Sequence, residues 1–141
     1  MKIFGAQLAK AAILLAISLG LFWFSGQFSP ATFFEPFSPG WELWMSYAND
    51  LILPFAFYFF LCLGERWLKT WQLQALLAFA IPALIEFGQA LYPWISGSRF
   101  FADRYIGAFD PLDILMYVIG VGLAVIVEQL VFAKLFKFWQ P

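Results

Sequence analysis

Residues 73–94 read LQALLAFAIPALIEFGQALYPW and contain one charged side chain, Glu86. At 1.5 Å per residue a helix of this length is about 33 Å long, enough to cross a hydrocarbon layer of about 30 Å. A helix at the surface of a soluble protein would carry a polar face, and this stretch has none to offer. Its solvent is therefore expected to be lipid.

Three further blocks read the same way, at about residues 8–24, 48–64 and 112–132. The second is the shortest, with its uninterrupted part running from Asp50 to Gly64. The whole chain is 63% hydrophobic and 12% charged. Soluble domains carry about a quarter charged residues, so too few remain here to cover a wetted surface. The expected fold is an all-α membrane protein, a four-transmembrane-helix bundle forming a single domain over residues 1–141. No internal repeat or low-complexity segment interrupts it.

Basic residues set the orientation. Lys2 and Lys10 precede the first block, Arg66 and Lys69 separate the second from the third, and Lys134 and Lys137 follow the fourth. With an even number of spans all six share one side, against Arg99 and Arg104 on the other. Both termini are predicted to be cytoplasmic, with residues 25–48 and 95–111 facing outward. Lys2, Lys10 and the apolar run Ala11–Phe24 also fit the opening of a secretory signal. The cleavage region around Ser29, Pro30 and Ala31 is blocked by proline, so the run is expected to stay as the first span. The seven tryptophans all fall near predicted span ends, where amphipathic rings settle. The first outer loop, with Phe28, Phe33, Phe34, Phe37, Trp41 and Trp44, is apolar enough to lie on the interface or fold over the bundle.

Composition removes several chemistries. A net charge of -1 and no basic run leave nothing to track a nucleic-acid backbone. There is no histidine and a single cysteine, Cys62. An intramolecular disulfide, a His/Cys metal site and a histidine-activated nucleophile are excluded. Cys62 reads as a small packing residue. Magnesium prefers oxygen ligands such as carboxylates, but nothing in the sequence demands it, and no metal or cofactor is expected.

What remains is carboxylates, amides, Tyr, Lys and Arg. Ionisable groups inside spans are costly and usually face a bundle interior or a watery cavity. Glu86 lies about 13 residues into the third span, roughly 20 Å from its cytoplasmic end. Gln89 shares its face. Pro82, one turn earlier, frees the carbonyl of Ala78 and is expected to open room by a kink. Asp50 and Asp113 open the second and fourth spans, and Arg104, with Arg99, can reach down from the second outer loop. Glu86 and Asp113 are the candidate catalytic residues; Asp50, Gln89, Arg104 and Asp110 are the candidate binding residues. Structural readings compete. Asp110-Pro111 is a good helix start, with Asp110 as N-cap, Pro111 as first residue and Asp113 near the positive end of the dipole. Asn49-Asp50 reads equally as a cap. Glu86 has no capping role to play, and its structural alternative is a pair with Arg104 or a protonated carboxyl joining helices. Glu128 and Gln129 lie near the other end of the fourth span and are expected to reach the interface. Gly120, Gly122 and Ala124 read as sites of close helix approach.

Asp50 at the start of span two, Glu86-x-x-Gln89 in span three, and Phe109-Asp110-x-x-Asp113 followed by Gly120 in span four resemble the VanZ-like membrane proteins. The resemblance covers about residues 47–125. Family members often carry Lys and His after the span-two Asp, where this chain has Leu51 and Pro54. Where an Asn often follows the span-four Asp, this chain has Tyr117. Arg104 precedes Asp110 by six residues, farther than the family's usual Arg. The family takes its name from an accessory protein of glycopeptide antibiotic resistance at the bacterial cell envelope. The resemblance implies a bacterial inner (cytoplasmic) membrane protein with an outward polar site. The expected function is binding or modifying a lipid-linked or surface-exposed cell-wall component, with membrane lipids and a lipid-linked envelope precursor as the expected partners. The alternatives are a non-catalytic subunit of a larger envelope complex and, ranked last, a proton-linked transporter.

Overall fold

A computed structural model describes residues 2–25, 39–96 and 110–139, and among them there is no strand. The helices are α1 (Lys2–Ser25), α2 (Pro39–Cys62), α3 (Trp71–Ser96) and α4 (Pro111–Ile126). After α4 the chain widens into a π-helical turn (Val127–Phe132) and ends in a short helix, α5 (Ala133–Leu135). Three segments are long and apolar enough to cross a membrane: Gly5–Ser25, Trp71–Gly88 and Pro111–Leu135. A shorter apolar helical stretch runs from Tyr47 to Cys62.

Local chemistry explains the helix starts. Asp110, extended in backbone, caps α4 by accepting the Leu112 amide at 2.9 Å, and Pro111 occupies the first helical position. Thr70 Oγ1 accepts the Leu73 amide at 3.3 Å ahead of α3. Helix α2 departs from the expectation. It begins at Pro39, so residues 39–48 are helix where an outer loop was expected. Proline at the first position is pre-organised for a helix, and the residues up to Asp50 contain no second proline to stop it. Phe28, Phe33, Phe34 and Phe37 lie outside the described residues.

Cross-helix bonds fix the directions. Tyr47 meets Asp110 and Tyr58 meets Glu128, so α2 and α4 run parallel. Glu86 meets Tyr117 near the start of α4, while Gln74 meets Cys62 at the end of α2, so α3 runs antiparallel to both. Lys10 pairs with Glu65 beyond the end of α2, which sets α1 antiparallel to α2. Helix α2 is the centre of the bundle and packs on α1, α3 and most extensively α4.

Burial is inverted relative to a water-soluble protein. Leu84 is 68% exposed and Trp23 70%, while Ser18, Gln74 and Glu128 are buried. Apolar side chains outside and paired polar ones inside are what a lipid solvent selects. Ser18 Oγ, for example, bonds back to the Leu14 carbonyl at 2.7 Å within α1. The apolar core joins Leu14, Tyr58, Phe59, Ala78, Val121 and Ala124. Cys62 belongs to it as a packing residue and also donates to Gln74 Oε1 at 3.3 Å. Trp139 departs from the interfacial pattern, because it is buried against Phe132 and Phe136.

The tightest contact is at Gly120. A Cβ there would lie 2.3 Å from the backbone carbonyl oxygen of Leu51 on α2. Gly122 has nothing within 4 Å and plays no such part. Gly120→Ala must push α2 and α4 apart, which overpacking data put at about 1–3 kcal/mol. Thermal unfolding in detergent should show a clear loss for Gly120→Ala and little change for Gly122→Ala.

Candidate functional site

The parallel pairing of α2 and α4, with α3 alongside, brings carboxyl groups from three helices to one end of the bundle. Asp50 projects from the middle of α2, twelve residues in from Pro39, so the capping reading of Asn49-Asp50 is overturned. A mid-helix carboxylate has no free backbone amide to cap. The Asp50 side chain meets that of Asp113, in the first turn of α4. Asp113, Glu86 and Asp110 all lie within electrostatic range of Asp50.

Glu86 on α3 accepts a hydrogen bond from the Tyr117 hydroxyl at 3.0 Å. Tyr117 lies four residues after Asp113 and therefore shares its face of α4. Asp110 accepts from the Tyr47 hydroxyl at 2.6 Å through Oδ2, while Oδ1 takes the Leu112 amide. Capping and site membership are thus combined in Asp110. These two donors hold its carboxyl below the usual aspartate range. Asn49 Oδ1, one residue before Asp50, is buried without a partner among the described residues.

The structure therefore unites four of the six expected residues: Asp50, Glu86, Asp110 and Asp113. Gln89 falls on α3 three residues beyond Glu86. Arg104 and Arg99 lie outside the described residues. The two tyrosines are additions that sequence reasoning missed. Their signal was spacing: Tyr117 follows Asp113 by four and Tyr47 precedes Asp50 by three, each one helical turn from an expected acid. Chemically the cluster is rich in oxygen, with hydroxyl donors on the Asp110 and Glu86 carboxyls and the Asp50 and Asp113 carboxyls beside each other. Such a site can exchange protons with a bound group or hold an amine or hydroxyl.

Glu128 also needs correction. Instead of reaching the interface it is 7% exposed and accepts a hydrogen bond from the Tyr58 hydroxyl, with Gln129 Nε2 at 3.2 Å. It sits in the π-helical turn, and the wider turn changes which residues face α2. No protein-family model, curated protein or solved structure matches the chain.

Tyr117→Phe keeps the ring and removes the donor to Glu86. It should cost about 1 kcal/mol in thermal unfolding, the scale of one interhelical hydrogen bond. Acid should act through Asp110: its lowered pKa means its contribution stands above the ordinary aspartate pKa and is lost as pH falls through the lowered one. Melting temperature against pH for Asp110→Asn, which keeps an acceptor oxygen but not the titration, should lack that acid-side loss.

Proposed function

We propose that this chain is a VanZ-like protein of a bacterial cytoplasmic membrane, crossing it four times with both termini inside. Its carboxyl-rich site would lie in the outer half of the membrane and bind or modify a lipid-linked or surface-exposed cell-wall component. The observation that carries this reading is the convergence of Asp50, Glu86 and Asp113 from three different helices. Polar groups are expensive inside a membrane, and a cluster this size exceeds what helix joining requires.

Supporting arguments come from length and charge. Helix α2 has 24 residues, about 36 Å at 1.5 Å each, enough for the fourth crossing. The basic residues divide six to two in favour of cytoplasmic termini. In this reading Glu86 is the acid or base that acts on the bound group, with Tyr117 holding its carboxyl in place. Asp113 and Asp50 stand beside it as further oxygen acceptors for the bound group, and Asp110 orients the start of α4.

The same bonds favour a second reading, a non-catalytic bundle subunit. Tyr117–Glu86 and Tyr47–Asp110 each tie α4 to a neighbour, as interhelical hydrogen bonds commonly do.

Wild type and Glu86→Gln expressed at matched levels in a glycopeptide-sensitive bacterium separate the two. The expected result is a raised inhibitory concentration of a lipoglycopeptide with wild type, and none with Glu86→Gln despite normal yield in detergent. Loss of folded Glu86→Gln protein would favour the structural reading, and no shift with wild type would remove antibiotic resistance from the proposal.

A further inference from the structure

At the end of the bundle opposite the carboxyl site, the start of α1, the α2–α3 turn and the residues after the π turn surround an open cleft of about 810 Å³. Ligand pockets commonly have volumes of about 300–1,000 Å³. The wall carries two basic side chains, Lys10 and Lys69, and two acidic ones, Glu65 and Glu128. Trp71 and Trp139 supply aromatic surface.

Trp139 is the unusual member. Its side chain is 4% exposed, and its indole N–H is buried without an acceptor among the described residues. A buried donor left unpaired costs free energy, and native structures rarely keep one without a reason. Lys10 sits over the same ring, its Nζ at 5.4 Å from the centroid, and also pairs with Glu65. A group bringing acceptor oxygens against this ring would satisfy the N–H and meet Lys10 at once.

A phosphate is such a group, but the acidic half of the wall asks for a positive partner as well. We propose that the cleft binds a phosphoethanolamine group, its phosphate toward Lys10, Lys69 and the Trp139 N–H, and its ammonium toward Glu128 and Glu65. Lys10 and Glu65 already compensate each other, so a phosphate alone would still face the Glu128 carboxyl and an amine alone the Lys69 ammonium. The setting suits a phospholipid headgroup: Trp67 and Trp71 are exposed at this end of the helices, at the depth where such rings meet headgroups. The inference needs these helices to cross a membrane, and is independent of what the carboxyl site at the other end does.

The test is thermal unfolding of the full chain in detergent, titrated with phosphatidylethanolamine, phosphatidylglycerol, phosphatidylcholine, diacylglycerol or soluble phosphoethanolamine. Saturable stabilisation by phosphatidylethanolamine is expected, exceeding that by phosphatidylcholine, which lacks ammonium N–H donors, and by phosphatidylglycerol, which lacks the ammonium. Soluble phosphoethanolamine matching the lipid would assign the same chemistry to a soluble source. Trp139→Phe removes the N–H and keeps a ring; Lys69→Gln changes an exposed residue and leaves the core untouched. Each should raise the half-saturating concentration about tenfold, the effect of one hydrogen bond to a charged group. Gly122→Ala, which lies outside the cleft and meets nothing within 4 Å, should titrate like wild type. Equal stabilisation by all the lipids, or wild-type titration by both Trp139→Phe and Lys69→Gln, overturns the proposal.

Discussion

The approach of α4 to α2 at Gly120 sets the geometry of everything around it. With only hydrogen on its α-carbon, Gly120 lets the Leu51 carbonyl come closer than any side chain would allow. Small residues have this use in membranes, where helices gain little from excluding apolar surface and must pack tightly instead. Because α2 and α4 run parallel, this close point holds them in register on both sides. Toward one end Asp50 meets Asp113 and Tyr47 meets Asp110; toward the other Tyr58 meets Glu128. Two helices held farther apart would leave these groups without their partners in a medium that supplies no substitute.

The two ends use the same rule differently. At Glu128 the donors are Tyr58 and Gln129, with Cys62 and Gln74 close by in the same buried layer. Gln74 is used twice, as its oxygen takes the Cys62 thiol and its Nε2 donates to the Leu68 carbonyl at 2.8 Å. That layer fastens α3 and the turn before it to α2. At the other end the donors to four carboxyl groups, among the described residues, are two tyrosine hydroxyls and the Leu112 amide, so hydrogen-bonding capacity is left over there. Surplus acceptors are costly for a structural joint and useful for a site that receives a donor from outside.

The sequence was legible wherever a single segment carried the signal. Block length predicted the helices, Asp110-Pro111 predicted the start of α4, and Glu86 stood out because an isolated carboxylate in an apolar run has no local partner. It was not legible where the answer depends on register between segments. Glu128 looked able to reach the interface because nothing in its own helix reveals that Tyr58 will face it. Asp50 looked like a cap because the aromatic residues before it read as a loop, whereas the helix begins at Pro39. Tyr117 stood out only as a departure from the VanZ-like pattern and Tyr47 carried no role, and their hydroxyls gained meaning only once the acids one turn away were placed.

Tyrosine suits this arrangement for a physical reason. Its ring buries like phenylalanine, and its hydroxyl reaches a neighbouring helix at little cost in side-chain entropy. Tyr117 is almost wholly buried, yet it delivers a donor to Glu86 on α3. The bond that fixes the Glu86 carboxyl is therefore also one that joins α3 to α4. Any group that takes Glu86 for itself must either add to the Tyr117 bond through the second carboxyl oxygen or replace it. The first leaves the helix contact intact, and the second releases α3 from α4 at that level. A carboxylate has lone pairs for both partners, so the first course is the less costly, and it keeps Glu86 oriented while it acts.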